Sequence, residues 1–362
     1  MRILYGVVGE GMGHATRSRV LLENLVQQHE IHVVASGRAK EYLERRFRDV
    51  HGIWGYTMAY EDNQVRKWQT VVQNVKGAVS GWPHNVRQYF ELVSQFKPEV
   101  VISDFESFSY LFAKRHLLPV ISVDNMQIIN RCEHDPSLLA GFEDSFELAR
   151  SIVKSKLPGC FHYLITAFFR PPVRKERTTL VPPLLRPEIL AASPQPGEHL
   201  LVYQTAEGSS ALPEILRKAG APSRVYGFRR DLSEDVAEGN VTYRPFSEAR
   251  FIDDLRTARA VIASGGFTLM SEAVFLRKPM LGIPLVGHFE QVLNALYLQK
   301  LGFGGFAREL TLETLTSFLK QLPKLTERLK HYEQNGNSEA FAAVDAQLDR
   351  AIHRRRPKAK KR

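Results

Sequence analysis

The chain has 362 residues, 44% of them hydrophobic, which is enough for two domains of ordinary size with real cores. Its two cysteines, Cys132 and Cys160, make neither a disulfide framework nor a C-x-x-C metal pair and fit a reducing compartment, and no apolar run approaches the ~20 residues that a signal anchor or membrane span requires. The net charge of +10 is concentrated at the end: residues 354–362 hold seven Lys/Arg and no acid, which leaves +3 for the body; such a tail suits anionic lipid or nucleic acid, and no specific nucleic-acid binding is expected.

In chain order, short apolar strands alternate with helical stretches, the pattern of parallel α/β sheets. Strands are expected at 3–8, 31–35, 100–103, 120–123 and 163–166, with helices around 17–28, 39–47, 85–95 and 107–116 between them. A proline-rich stretch from Val181 to Pro196 reads as a hinge or linker. Strands resume at 199–204, 224–227, 241–243, 260–263 and 280–283, and residues 338–353 read as a final helix. The expected organisation is a domain over 1–190, a second over 198–337, a helix over 338–353 returning to the first, and a basic tail over 354–362. Two Rossmann-like parallel-sheet domains then face each other across a cleft, where ligands meet the carboxyl ends of strands.

Two glycine turns occupy such strand ends. The first, Gly9-Glu10-Gly11-Met12-Gly13-His14, runs from strand to helix. Glycine permits positive φ and close backbone approach, and the helix start offers free N–H groups. His14 stands in the first helical turn, where an imidazole can act as a general base. A carboxylate would orient that imidazole and stabilise its protonated form. Asp104, at the end of the strand at 100–103, is the first candidate and Asp124 the second. The second turn, Ser264-Gly265-Gly266-Phe267-Thr268, precedes a helix whose N-terminal amides suit a diphosphate. Glu272 lies four residues past Thr268, about 6 Å along the helix, a span that fits a ribose beyond a pyrophosphate. Glu290, Gln291 and Asn294 follow the next strand, where an acid and an amide can read several sugar hydroxyls.

These residues resemble a known signature. Gly265-Gly266, Thr268, Glu272, Pro279 with Pro284, Glu290-Gln291 and Asn294-Ala295 follow the donor-nucleotide pattern of GT-B glycosyltransferases. The pattern is most similar to family 28, the MurG-like N-acetylglucosaminyltransferases, with a divergent first turn. The resemblance implies the GT-B fold and a UDP-sugar donor. It implies Glu272 on the ribose, Gln291 on the sugar and main-chain contacts to the base near Phe246. It also implies an acceptor bound beside Gly9, Glu10, Gly11 and Gly13, a lipid-linked saccharide being one class. The expected activity is inverting, metal-independent hexosyl transfer with no cofactor, since the chain lacks an Asp-x-Asp metal triplet and helix N-termini can meet the leaving-group charge. Arg17, Arg244 and Arg250 are candidates to assist. A UDP-GlcNAc 2-epimerase-type isomerase and a non-catalytic nucleotide-sugar binder are the alternatives. A nicotinamide dehydrogenase fits poorly, because the first turn is G-x-G-x-G and the second strand ends in Ser36. The expected location is the cytoplasm, at the inner face of the membrane if the basic tail touches anionic lipid. Trp54, Trp68 and Trp82, and the run from Phe161 to Arg177, are further candidates for an acceptor lip or a membrane contact.

Overall fold

The computed structural model describes residues 1–9, 11–53, 60–61, 64–65, 87, 89, 91–204, 211–229 and 231–355. Glu10, Trp54, Trp68, Trp82 and most of the basic tail therefore lie outside the described residues.

The first half is a seven-stranded sheet. Its strands are β1 (Arg2–Val7), β2 (Glu30–Ala35), β3 (Val50–Gly52), β6 (Val100–Asp104), β7 (Val120–Asp124), β8 (His162–Thr166) and β9 (Thr178–Val181). The order is β3-β2-β1-β6-β7-β8-β9, parallel throughout. Between β3 and β6 the chain forms a small antiparallel pair, β4 (Tyr60–Glu61) with β5 (Gln64–Val65). The second half is another seven-stranded sheet: β10 (Leu200–Tyr203), β11 (Ser223–Tyr226), β12 (Val236–Glu238), β13 (Val241–Arg244), β14 (Ala260–Ala263), β15 (Met280–Gly282) and β16 (Gly304–Phe306). Its order is β12-β13-β11-β10-β14-β15-β16, with only β12 antiparallel.

Central strands such as Val100–Asp104 and Val120–Asp124 are buried along their whole length, because helices cover both faces. That is why continuous apolar runs mark them in the sequence. The strands that the runs do not mark are β3, β9, β12 and β16, all outside the sheet centres and short or half-buried. In each sheet the order reverses beside the first strand, between β1 and β6 and between β10 and β14. Those are the switch points where doubly wound sheets open a crevice. The turn after β1 and the turn after β14 lie there.

Helices begin and end where local chemistry allows. The helix Met12–Leu25 starts earlier than its apolar pattern because Gly11, at φ 75°, delivers the chain into it. Of the helix expected around 85–95, the part described continuously, Leu92–Phe96, is a single π turn. The last helix, Ser338–Arg355, sets Ala340, Val344, Leu348 and Ala351 into the apolar cluster of the first sheet, with Ile3, Tyr5 and Ile102. The first part of the proline-rich stretch, residues 181–186, is buried, whereas residues 191–196 are mostly exposed. The Asn337 side chain donates to the Leu185 carbonyl (2.7 Å) and accepts from its N–H (2.8 Å), satisfying the backbone where proline cannot pair.

An aromatic seam joins the halves. Tyr297 stacks on Phe169 at 4.0 Å and 12°, and its hydroxyl meets His134 Nδ1 at 2.9 Å. Phe146 packs on Phe289, and Phe142 on Phe306. One apolar cluster consequently runs through both halves.

Candidate active site

At the first turn, each glycine meets a different demand. A Cβ on Gly9 would lie 2.3 Å from Ser36 Oγ, and one on Gly13 would lie 3.0 Å from Thr268 Oγ1 of the other half. The helix behind them has neither a side-chain cap nor an acid in its first turn, so its leading N–H groups stay open to a ligand.

His14, with a side chain 18% exposed, points Nδ1 at Asp104 Oδ1 from 2.8 Å. Asp104 ends β6, paired beside β1, with Val7 and Asp104 in register. It is fully buried. Burial would raise its carboxyl, but Arg17 and His14 outweigh that and hold it down at about 2. Arg17 Nη2 donates to Oδ1 (2.6 Å), Arg17 Nε to Oδ2 (3.2 Å) and Ser18 Oγ to Oδ2 (3.0 Å). An ionised carboxylate only accepts, so His14 carries its proton on Nδ1 and Nε2 is its basic nitrogen. Arg17 Nη2 also stands 2.9 Å from Nδ1, so the guanidinium, the imidazole and Asp104 Oδ1 meet in one close cluster. The Asp104 carboxylate, itself held by Arg17 and Ser18, fixes the orientation of the imidazole.

Asp124, the second candidate partner, is occupied elsewhere: it accepts from Ser122 Oγ (2.6 Å) and from the Gln127 N–H (2.8 Å). The cap of the helix Ser107–Arg115 is Glu106, which accepts from the Phe108 and Ser109 N–H groups. Asp104 is thereby free of that task.

The second turn is built to the same plan. Gly265 has φ 87°, and a Cβ there would lie 3.0 Å from the Gln291 carbonyl. Gly266 caps the helix Phe267–Phe275 with no side-chain bond, and a Cβ added to it would meet no atom within 4 Å. Ser264 is half-buried beside them. Thr268 Oγ1 donates to the Gly13 carbonyl (3.2 Å), so the two glycine turns touch. Gln291 Oε1 accepts from the Leu285 N–H (3.0 Å). Glu290 Oε1 accepts from Asn294 (2.9 Å) and, from across the cleft, from Asn125 (2.6 Å).

Glu272 lies on the helix that Gly266 caps. It is 2% exposed, and its two oxygens accept from Arg186 Nε and Nη2 at 2.7 Å each. Burial pushes the carboxyl toward its neutral form, and the arginine fork opposes that. Arg186 also donates to Glu248 (2.8 Å). Phe246 is 65% exposed just past β13, an open aromatic where the resemblance leads one to expect the nucleobase.

The three arginines that could meet leaving-group charge are all engaged. Arg17 is buried on Asp104 and Asn125, Arg244 donates to the buried Asp254 (2.7 Å), and Arg250 donates to Asp235 (2.6 Å). Asp254 also accepts from Tyr226 (2.6 Å) and pairs with Arg224. Among the described residues no cluster of His, Cys, Asp or Glu could hold a metal ion, and no helix is long and apolar enough to cross a membrane. Asn125, Arg186 and the bridging place of Arg17 belong to no motif visible in the sequence. Only the position of Asn125, directly after a buried strand end, marks it.

Known proteins agree with this architecture. Residues 1–323 match the family described as glycosyl transferase family 1. An uncharacterized glycosyltransferase of Methanosarcina mazei is 26% identical over 339 residues, covering 84% of this chain and 85% of the relative. The MurG-type likeness is local. A Bacillus cereus UDP-N-acetylglucosamine--N-acetylmuramyl-(pentapeptide) pyrophosphoryl-undecaprenol N-acetylglucosamine transferase 3 is 37% identical over 86 residues, 23% of this chain and 24% of the relative. Among solved structures, the glycotransferase of kitacinnamycin superposes with a TM-score of 0.67 at 17% identity, covering 96% of this chain and 98% of its own. The fold is that of the GT-B glycosyltransferases.

Proposed function

Because the chain belongs to glycosyl transferase family 1, we propose that it moves a hexose, N-acetylglucosamine or a related sugar, from a UDP-sugar to an acceptor hydroxyl with inversion. The half at 1–190, with the helix at 338–353 returned to it, takes the acceptor, and the half at 198–337 takes the donor. The observation that carries this reading is the His14–Asp104 pair, 2.8 Å apart, set beside the touching glycine turns.

In the proposed step the acceptor oxygen attacks the anomeric carbon from the face opposite UDP. Its proton passes to His14 Nε2, the new glycosidic bond forms, and the bond to the diphosphate breaks. UDP leaves as the diphosphate anion. The uncapped N–H groups after Gly266 meet that charge without help from a metal or other cofactor. Thr268 exchanges the Gly13 carbonyl for a phosphate oxygen. Glu272 uses one lone pair per oxygen for Arg186 and retains the others for the ribose hydroxyls. Ser264 and Gly265 line the phosphate path, Phe246 receives the base, and Glu290 with Gln291 reads the sugar. Gly9, Glu10, Gly11 and Gly13 border the acceptor. UDP-N-acetylglucosamine is the first donor to try, since it stands in the name of the Bacillus cereus relative, as does a lipid-linked acceptor.

The test is a thermal-shift screen with UDP-, dTDP- and GDP-sugars on the whole chain. A ligand at 100 times its Kd adds about 2.7 kcal/mol to stability, so the correct nucleotide stands out. Stabilisation by UDP-sugars above the others is expected. Stabilisation by none of them contradicts the reading.

A further inference from the structure

The hydrogen bonds that hold the proposed base do not stop at Asp104. Arg17 gives Nε and Nη2 to Asp104 and its remaining nitrogen, Nη1, to Asn125 Oδ1 at 2.9 Å. Asn125, 4% exposed just past β7, then donates Nδ2 to Glu290 Oε1 across the cleft at 2.6 Å. The direction of the amide is settled by chemistry, since a guanidinium can only donate and a carboxylate can only accept. Glu290 Oε1 takes a second bond from the buried Asn294 (2.9 Å), whose Nδ2 also lies 3.4 Å from the Gly265 carbonyl. A line of polar contacts therefore runs from His14 to the glycine turn of the other half.

The loading of Glu290 is one-sided. Both amides bind Oε1, and among the described residues Oε2 accepts no hydrogen bond. A carboxylate pinned through one oxygen presents the other in a fixed place, as a sugar hydroxyl requires. We infer that Asn125 is a positioning residue for the donor sugar: it pins Glu290 through Oε1, leaves Oε2 to the sugar, and ties that carboxylate through Arg17 to the one that orients His14. Base and sugar are then in register only when the two halves meet as they do here. The inference rests on the reading of the cleft as a UDP-sugar site. A plain clasp between the halves is the competing account, and it would affect every cleft ligand alike.

The experiment is calorimetric titration of the whole chain with UDP, and with UDP-N-acetylglucosamine and UDP-glucose, of which the tighter is carried forward. Asn125→Leu keeps about the same bulk, adds no charge and cannot donate to Glu290. It should leave UDP affinity within about twofold and weaken UDP-sugar affinity about tenfold, the usual worth of a hydrogen bond to a charged group. Asn125→Ala should give the same split and serves if the first variant does not fold. Equal loss for UDP and UDP-sugar, or loss for neither, overturns the inference while leaving the donor site standing. A wild-type chain that binds neither UDP nor a UDP-sugar overturns the donor reading and the inference with it.

Discussion

The two glycine turns are alike in plan, but the acid near each is held differently. Past Gly13, His14 meets Asp104, which ends the strand paired directly with β1. Past Gly266, Glu272 faces Arg186, which comes from the segment between the sheets. The proposed base is thus assembled within one half, whereas the proposed ribose acid depends on the connector. Preorganised charge is what catalysis needs at the reacting atoms, and in the proposed mechanism the first half supplies it before any ligand arrives. In the proposed donor site, by contrast, Thr268 must leave Gly13 before its hydroxyl can hold a phosphate.

That contrast can be broken from either side. The largest effect is expected at Asp104. Asp104→Asn leaves Arg17 buried without its counter-charge, which costs about 3–5 kcal/mol and is read by urea unfolding. The sign of the pH dependence follows. The folded carboxyl, at about 2, lies below its unfolded value of about 3.9, so its stabilisation is complete above that value and is lost as pH falls toward 2. The variant should lack this acid-range loss. Next, His14→Ala should lower kcat about 10²- to 10⁴-fold while UDP binding stays within about twofold; unchanged turnover would remove it as the base. A smaller effect is expected on the donor side, where Glu272→Ala should weaken UDP about tenfold by calorimetry, the loss of charged acceptors for two hydroxyls. Unchanged UDP affinity would place the ribose elsewhere. The smallest concerns the tail: removing residues 356–362 should leave unfolding and UDP affinity unaltered and reduce only sedimentation with anionic vesicles. Equal sedimentation would end the membrane assignment.

What the sequence reveals differs between the halves in the same way. The buried parallel strands are visible as apolar runs, and the His14–Asp104 pair follows from placing two strand ends side by side at the switch point. The Asn125–Glu290 and Arg186–Glu272 pairs are set by how one half seats against the other and by the path of the connector. No local pattern encodes that. The burial of residues 181–186 is hidden for a related reason: the Leu185 backbone is satisfied by Asn337, far along the chain. The donor signature located the second turn and the enzyme class. The likeness to the MurG type spans 86 residues, whereas the family 1 match spans 1–323.

The central claim is that the two turns form one nucleotide-sugar transfer site, and a crystal structure of the whole chain with UDP tests it most directly. The account predicts phosphate oxygens within hydrogen-bond distance of the Phe267 and Thr268 N–H groups, the ribose on Glu272 and the Thr268–Gly13 bond exchanged for a phosphate. UDP bound outside the cleft, with Thr268 still on Gly13 and Glu272 touching only Arg186, would contradict it.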